Sequence, residues 1–129
     1  FLNRNKITHD KIKIHYLLEE SGRVAVMLSE EQLHQLYYAK ESGIHGKGLY
    51  AREKFKQGDY MGEYDGPVVS ENGSHVLWVE KYDEVWVGRD GQNLLRYLNH
   101  SAAPHAEFVD FELFALRDIH PDEEITIDY

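Results

Sequence analysis

Residues 93–107 read Asn-Leu-Leu-Arg-Tyr-Leu-Asn-His-Ser-Ala-Ala-Pro-His-Ala-Glu, and they hold much of the unusual chemistry of the chain. A cation, an amide, an imidazole and a hydroxyl fall close together, at Arg96, Asn99, His100 and Ser101. The leucines and the tyrosine among them supply apolar surface that would bury these groups. Because buried polar groups need hydrogen-bonding partners, the stretch predicts either a satisfied core network or a ligand cradle. Taken alone, it favours the core network.

Length and composition predict one compact domain. The chain has 129 residues, of which 42% are hydrophobic, and domains of about 100 to 150 residues are the commonest size. No window approaches the roughly 18 uninterrupted apolar residues of a membrane span, and the amino end lacks the apolar core of a secretory signal. We therefore expect an intracellular protein, cytoplasmic or nuclear. The absence of cysteine excludes disulfides, thiol nucleophiles and cysteine-ligated zinc.

The formal net charge of -9 indicates which partners to expect. Phosphate binding relies on clustered Lys and Arg, so direct binding to nucleic acid is not expected. A basic protein or peptide, by contrast, would be attracted to this surface. The eight histidines are scattered along the chain. The pair His100 and His105 lacks convergent acidic or thiol ligands, so no metal site is predicted.

The segment before residue 42 carries its own signals. Residues 11–28 alternate polar and apolar positions around a Glu-Glu-Ser-Gly turn, which predicts a hairpin. Ser29 followed by Gln32 has the form of a capping box and predicts a short helix over about residues 30–40. We expect residues 1–41 to be an extension packed on the rest of a single unit.

Glycine density rises in the next segment. Residues 42–51 read Ser-Gly-Ile-His-Gly-Lys-Gly-Leu-Tyr-Ala. Glycines at Gly46 and Gly48 would let the backbone approach a ligand closely and present N–H groups to an anion such as a carboxylate. The simpler interpretation is a glycine-rich turn before a strand, since the segment lacks the Gly-Lys-Ser/Thr ending of a phosphate loop.

The remainder predicts short strands separated by polar turns. Strand-like stretches, given by their approximate ranges, cover residues 60–69, 75–79, 85–87, 107–116 and 125–129. No internal repeat or linker interrupts them. This pattern predicts a β-rich α+β fold with few helices.

Four motifs follow one another in a specific order. They are His-Gly-Lys-Gly-Leu-Tyr-Ala at 45–51, Gly-Glu-Tyr-Asp-Gly at 62–66, Arg-Tyr-Leu-Asn-His-Ser at 96–101 and Glu-Glu-Ile-Thr-Ile-Asp-Tyr at 123–129. In this order and spacing the series resembles the SET-domain protein-lysine methyltransferases over about residues 42–129. The resemblance implies a SET-like catalytic domain of short β-sheets, in which the Asn-His segment and the carboxyl-terminal segment cross in a pseudoknot.

The resemblance also implies an activity and a set of site residues. The activity is methyl transfer from S-adenosylmethionine to a lysine amine of a basic protein or peptide, for example a histone. Tyr129, at the end of the last motif, is implied as the catalytic tyrosine, with Tyr64 as a second active-site tyrosine. The residues implied in cofactor binding are Gly46, Lys47, Gly48, Arg96, Asn99 and His100.

Some positions depart from the family pattern. Ala102 stands where Cys is common, and His105 stands where Asn is common. Ile127 occupies a place where Phe or Tyr often influences how many methyl groups are added, which leaves that number open. The segment that often completes the lysine channel is expected to be missing, to lie beyond Tyr129 or to come from another molecule. A catalytically inactive SET-like module that binds a protein partner is the alternative function.

Overall fold

A computed structural model describes residues 28–128. Its first element is helix α1, Glu30–Leu36, which begins at the predicted capping box. The Ser29 hydroxyl accepts a hydrogen bond from the Gln32 backbone N–H at 3.1 Å, and the Gln32 side chain accepts one from the Ser29 N–H at 2.9 Å. These bonds satisfy amides at the helix start that have no partner within the helix. The hairpin predicted over residues 11–28 lies, except for Leu28, outside the described residues.

The helix is shorter than predicted, because residues expected to continue it to about 40 form strand β1, Tyr37–Glu41. β1 pairs antiparallel with β2, Lys47–Ala51. Tyr37 is fully buried, stacks on Phe55 with ring centroids 5.4 Å apart, and donates a hydrogen bond to the Met61 carbonyl at 2.6 Å. This tertiary environment outweighs the helical periodicity, and tyrosine suits a half-buried strand.

The first sheet has the order β1-β2-β10-β7 and brings together the two segments that were predicted to cross. β10, Glu124–Ile127, is antiparallel to β2 and parallel to β7, Asn99–His100. The loop after β7 is bound to the same strand, since Ser101 N–H donates to the Ile127 carbonyl at 2.9 Å and His105 N–H to the Thr126 carbonyl at 3.1 Å. The Asn-His segment therefore lies directly beside the carboxyl-terminal segment.

Two three-stranded sheets complete the described part. One has the order β3-β9-β8, with strands Tyr60–Glu63, Glu112–Ala115 and Ala106–Val109. The other has the order β4-β6-β5, with strands Val68–Val69, Val85–Asp90 and Val76–Tyr82. A 3₁₀ helix, Leu94–Tyr97, leads into β7. The β-rich class of short sheets with few short helices is confirmed.

One apolar core joins these elements. The largest fully buried side chains come from α1, from the first two sheets, from the 3₁₀ helix and from one loop, and are Leu33, Tyr37, Leu49, Met61, Leu95, Leu113, Phe114, Ile119 and Ile125. Since α1 and β1 contribute to this core, we propose that residues 28–41 fold as one unit with residues 42–128. Across residues 28–128, none of the helices has the length and apolar character needed to cross a bilayer.

Candidate active site

The 3₁₀ helix is held at its start by Asn93. The side-chain oxygen of Asn93 accepts a hydrogen bond from the Leu95 N–H at 3.3 Å, and its Nδ2 donates to the Glu63 carbonyl at 2.8 Å. Asn93 is buried, so these bonds fix the helix against β3. The helix thereby sets the direction in which the chain enters β7.

Asn99 joins three of the four motifs. Its Nδ2 lies 3.2 Å from the His45 carbonyl, 3.3 Å from the Lys47 carbonyl and 2.9 Å from Oε2 of Glu124. Only 8% of Asn99 is exposed. The glycine-rich turn and β10 are thus tied to one buried amide.

The two glycines of this turn have different roles. Gly46 has φ +49°, and a Cβ placed there would meet nothing within 4 Å. It therefore serves the backbone conformation and leaves open space beside it. A Cβ on Gly48 would collide with the Glu124 carboxylate and would lie 3.0 Å from the Ser42 Cβ. Gly48 is required by packing within the protein.

Arg96 and Lys47 meet on the ring of Tyr97. The Arg96 guanidinium carbon lies 4.4 Å from the ring centroid, and the Lys47 ammonium lies 5.9 Å from it. Arg96 also donates to the Tyr97 hydroxyl at 2.7 Å and to the carbonyls of Gln92 and Asn93, each at 2.9 Å. Because these bonds hold the guanidinium to its own segment, Arg96 is a fixed positive charge beside the turn.

A cavity of about 90 Å³ lies next to Arg96. Seven of its ten lining residues are apolar or aromatic, namely Tyr64, Val76, Leu77, Leu95, Leu98, Phe108 and Ile127. The other three, Ser74, His75 and Arg96, are polar, so the cavity has both apolar and polar walls. Arg96 lines this cavity and also contacts the Tyr97 ring, which Lys47 approaches as well. Of the predicted cofactor residues, Arg96 therefore lines the same cavity as Tyr64.

Tyr64 stands in the wall of the cavity with its hydroxyl already engaged. It donates a hydrogen bond to the His75 carbonyl at 2.5 Å, and its ring meets Phe108 edge-on with centroids 5.5 Å apart. Since the phenol has one proton, Tyr64 in this conformation can offer a ligand only an acceptor oxygen. The sequence does not reveal this restriction.

His100 and Tyr129 are the remaining predicted site residues. His100 pairs with Ile127 through the backbone, and its half-exposed ring places Nδ1 3.6 Å from an Asp128 carboxylate oxygen. Tyr129 lies outside the described residues. Ile127, two positions before it, lines the cavity. The end of β10 thus reaches the cavity wall.

Two further residues gain importance from the structure. Glu124 accepts hydrogen bonds from Ser42, Tyr50 and Asn99. A signal for it exists in the sequence, because residues 124–127 alternate polar and apolar and so place Glu124 on the same face as Thr126. Burial, followed by the nearby Glu124 charge, raises the pKa of Tyr50 and keeps its hydroxyl a donor.

His105 is the second of these residues. Its Nδ1 lies 3.0 Å from the Thr126 hydroxyl, and its Nε2 lies 3.7 Å from a Glu123 carboxylate oxygen. Desolvation, followed by repulsion from Arg117, lowers the pKa of His105 below its ordinary 6.5, although Glu123 acts in the opposite direction. The ring is therefore a mainly neutral partner of β10 at pH 7. Within residues 28–128, no group of three or more His, Asp or Glu side chains could hold a metal ion.

Comparison with known families yields a match to the family model of the SET domain over residues 46–129. A relative from Aspergillus oryzae, "Histone-lysine N-methyltransferase, H3 lysine-4 specific", is 31% identical over 110 residues, which cover 68% of this chain and 9% of the relative. The human "Histone-lysine N-methyltransferase 2B" is 29% identical over 110 residues, covering 68% of this chain and 4% of that protein. The chain therefore spans less than a tenth of either relative.

A solved structure supports the same architecture. The methyltransferase domain of human histone-lysine N-methyltransferase SETMAR superposes with a TM-score of 0.63 and 24% sequence identity. The match covers 72% of this chain and 44% of that domain chain. At this level of identity, the similarity supports the fold.

Proposed function

The chain belongs to the SET-domain family, and from that premise we propose that it transfers a methyl group from S-adenosylmethionine to the side-chain amine of a lysine in a basic protein. The observation that carries the proposal is the meeting of three motifs at Asn99, near a cavity that apolar, aromatic and polar residues line together. A site for two substrates needs such adjacent binding regions, because their reacting atoms must be aligned.

The described residues fit a cofactor that carries a carboxylate and an amine. The positive φ of Gly46 and the open space beside it leave room for a ligand against the turn. The His45 carbonyl faces Asn99, and in a trans peptide the N–H points the opposite way, so the Gly46 N–H is directed away from Asn99. We assign this turn, Gly46 to Gly48, to the polar end of the cofactor, together with Lys47, Arg96, Asn99 and His100.

The cavity suits the other reactant, the lysine side chain. Its walls, which include Leu95, Leu98, Phe108 and Ile127, match the apolar methylene stem of lysine. A lysine amine placed among these groups loses solvent, and desolvation lowers its pKa toward the neutral nucleophile that displacement needs. The Tyr64 oxygen can accept a hydrogen bond from the amine and help to orient it.

Little further chemistry is required of the protein. S-adenosylmethionine supplies, when bound, a methyl group on a positively charged sulfur that an amine attacks directly. The residues around the cavity hold the amine in line and exclude water. Tyr129, assigned by its place at the end of the last motif, orients the reacting groups through its hydroxyl and forms no covalent intermediate.

The charge of the chain supports a basic protein as substrate. The excess of Asp and Glu, 23 against 14 Lys and Arg, attracts partners rich in lysine. Histones are such proteins, and the names of the relatives point to histone lysines. We therefore propose a histone, or a histone-like basic protein, as the substrate class.

The experiment that tests the function is methyl transfer from labelled S-adenosylmethionine to a panel of basic proteins, with wild type and Tyr129→Phe. The variant keeps the aromatic ring, so cofactor affinity should change little. Transfer should fall by about two to four orders of magnitude, the scale of losing one preorganised polar group. Tyr82→Phe is the matched control, because Tyr82 is 69% exposed at the far end of β5.

Two results would contradict this assignment. Normal transfer by folded Tyr129→Phe would remove Tyr129 from the catalytic role. Cofactor binding by wild type without transfer to any basic protein would favour the alternative, a catalytically inactive module that binds a protein partner.

A further inference from the structure

Glu124 is the acceptor at which the glycine turn, β2 and β7 converge. Its two carboxylate oxygens each lie 2.8 Å from the Ser42 hydroxyl, and Oε2 lies 2.9 Å from Nδ2 of Asn99. The Tyr50 hydroxyl donates a longer bond of 3.4 Å to Oε1. The donors come from three separate stretches of chain, while Glu124 itself begins β10.

The bond to Ser42 extends into the turn. The Ser42 hydroxyl also accepts from the Ile44 N–H at 2.9 Å, and the Ser42 N–H donates to the Gly46 carbonyl at 2.7 Å. Ser42 therefore closes the turn from within and attaches it to the carboxylate. Asn99 attaches the other side, through the carbonyls of His45 and Lys47.

Gly48 shows how closely the carboxylate approaches the turn. A Cβ at this position would overlap Oε2 of Glu124 and would lie 2.9 Å from its Cδ. Gly48 does not have the positive φ found at Gly46, so backbone conformation does not explain this glycine. The absence of a side chain at residue 48 makes room for Glu124.

We propose that Glu124 is a positioning residue for cofactor binding, which fixes the turn Gly46 to Gly48 against Asn99. The inference rests on the proposed function, because it assumes that this turn holds the cofactor. An ionised acceptor forms hydrogen bonds about twice as strong as a neutral one. The turn is therefore held in its ligand-ready shape before a ligand arrives, which lowers the entropy lost on binding.

The primary test is cofactor affinity, measured by calorimetry on Glu124→Gln and Glu123→Gln. Glu124→Gln keeps the side-chain size but removes the charge, and we expect affinity to fall about tenfold, the factor that corresponds to 1.4 kcal/mol. Glu123→Gln is the matched control, since Glu123 is its sequence neighbour but bonds the His120 N–H at 2.6 Å, away from the turn. The control should bind the cofactor as wild type does.

A second measurement separates positioning from general stability. In steady-state kinetics, Glu124→Gln should raise the KM for the cofactor, with kcat nearly unchanged at saturating cofactor. A double-mutant cycle with Ser42→Ala should be non-additive, because both substitutions break one connected network. Amide hydrogen exchange of residues 42–48 in the cofactor-free protein should rise in Glu124→Gln and not in Glu123→Gln.

The possible outcomes separate this inference from the function on which it rests. Wild-type affinity and unchanged exchange in Glu124→Gln overturn the inference and leave the proposed function standing. If even the wild-type protein binds no cofactor, the proposed function fails and the inference fails with it. A lower kcat with an unchanged KM for the cofactor also overturns it, because the effect would then lie on the chemical step.

Discussion

At the scale of single residues, two buried asparagines on one stretch of chain do different work. Asn93 caps the 3₁₀ helix and bonds the Glu63 carbonyl, both local structural tasks. Asn99, six positions later, bonds two carbonyls of the glycine turn and the Glu124 carboxylate. The composition of the stretch does not separate these roles, because an amide satisfies a helix cap as readily as a ligand turn. The hydrogen-bond partners of Asn93 and Asn99 in the structure separate the two roles.

This difference predicts how the two asparagines respond to truncation. Asn99→Ala and Asn93→Ala should each destabilise the protein by about 1–3 kcal/mol, since each leaves buried groups without a partner. Of these two variants, only Asn99→Ala should weaken S-adenosylmethionine binding strongly, because Asn99 contacts the turn, whereas Asn93 bonds Leu95 and Glu63. Urea unfolding and calorimetry on both variants measure the two effects. Equal cofactor affinity in the two folded variants would return residues 93–107 to a purely structural role.

His105 gives a prediction about pH. Desolvation and then Arg117 lower the pKa of His105 in the folded protein. At pH values between this folded pKa and the ordinary value of 6.5, the unfolded chain therefore binds more protons than the folded protein. Stability from this residue is therefore present above about pH 6.5 and is lost as pH falls through the folded pKa. His105→Asn should reduce the fall in unfolding free energy between about pH 8 and about pH 5. An equally steep fall in the variant would show that other groups control acid sensitivity.

At the scale of elements, residues 29–41 show what local sequence determines and what it does not. The capping box was predicted from Ser29 and Gln32, and both of its hydrogen bonds are present. The predicted end of the helix, near residue 40, was wrong. Tyr37 and Tyr38 pair instead with β2, a strand that follows later in the chain. The start of a helix is determined by a few adjacent residues, whereas a strand needs a partner strand that can be distant in the sequence.

The hairpin between β5 and β6 shows a similar limit. The strand predicted over residues 75–79 is too short at its end, since β5 runs to Tyr82 and the turn residues are Asp83 and Glu84. Both have positive φ, at 38° and 62°. Two-residue hairpin turns of this kind favour Asn-Gly, and an acidic pair is an unusual choice. Lys81 belongs to the strand and lies 3.7 Å from Asp110.

The strain in this turn predicts a stabilising substitution. Glu84→Gly should raise the unfolding free energy by up to about 1 kcal/mol, because glycine adopts positive φ without the penalty of a Cβ, although it loses more entropy on folding. Gly73→Ala, in the loop before the same hairpin, is a useful comparison, since Gly73 does not have positive φ. Thermal unfolding of both variants measures the effect. If Glu84→Gly lowered the unfolding free energy instead, the prediction would be wrong. The Glu84 side chain would then be needed to keep the hydrogen bond from the Glu84 N–H to the Glu80 carboxylate, which is 3.1 Å long.

At the scale of the whole molecule, the order of four motifs predicted the family and the β-rich fold, because each motif corresponds to a segment that meets the others in space. The third and fourth motifs, for example, meet where Asn99 pairs with Thr126 and His100 pairs with Ile127. The alternation of residues 124–127 predicts the strand face on which Glu124 lies, but it does not predict the hydrogen-bond partners that give Glu124 its role. Its partners Ser42 and Asn99 are 82 and 25 positions away, and no local pattern relates them. The commitment of the Tyr64 proton to His75 is hidden for the same reason.

The charge of the whole molecule leads to the last prediction. If the net charge of -9 draws a basic substrate to the protein, added salt should lower kcat/KM for that substrate more than kcat. Screening weakens interactions beyond about 8 Å at physiological ionic strength, so it acts on encounter and leaves short-range contacts inside the cavity largely unaffected. The comparison is between a full-length histone and a short peptide that carries the same lysine with few other basic residues. The histone should show the steeper salt dependence, because it has more charges to be steered. Equal dependence for the two substrates would mean that attraction by the surface as a whole does not select the partner, and that recognition takes place at the cavity itself.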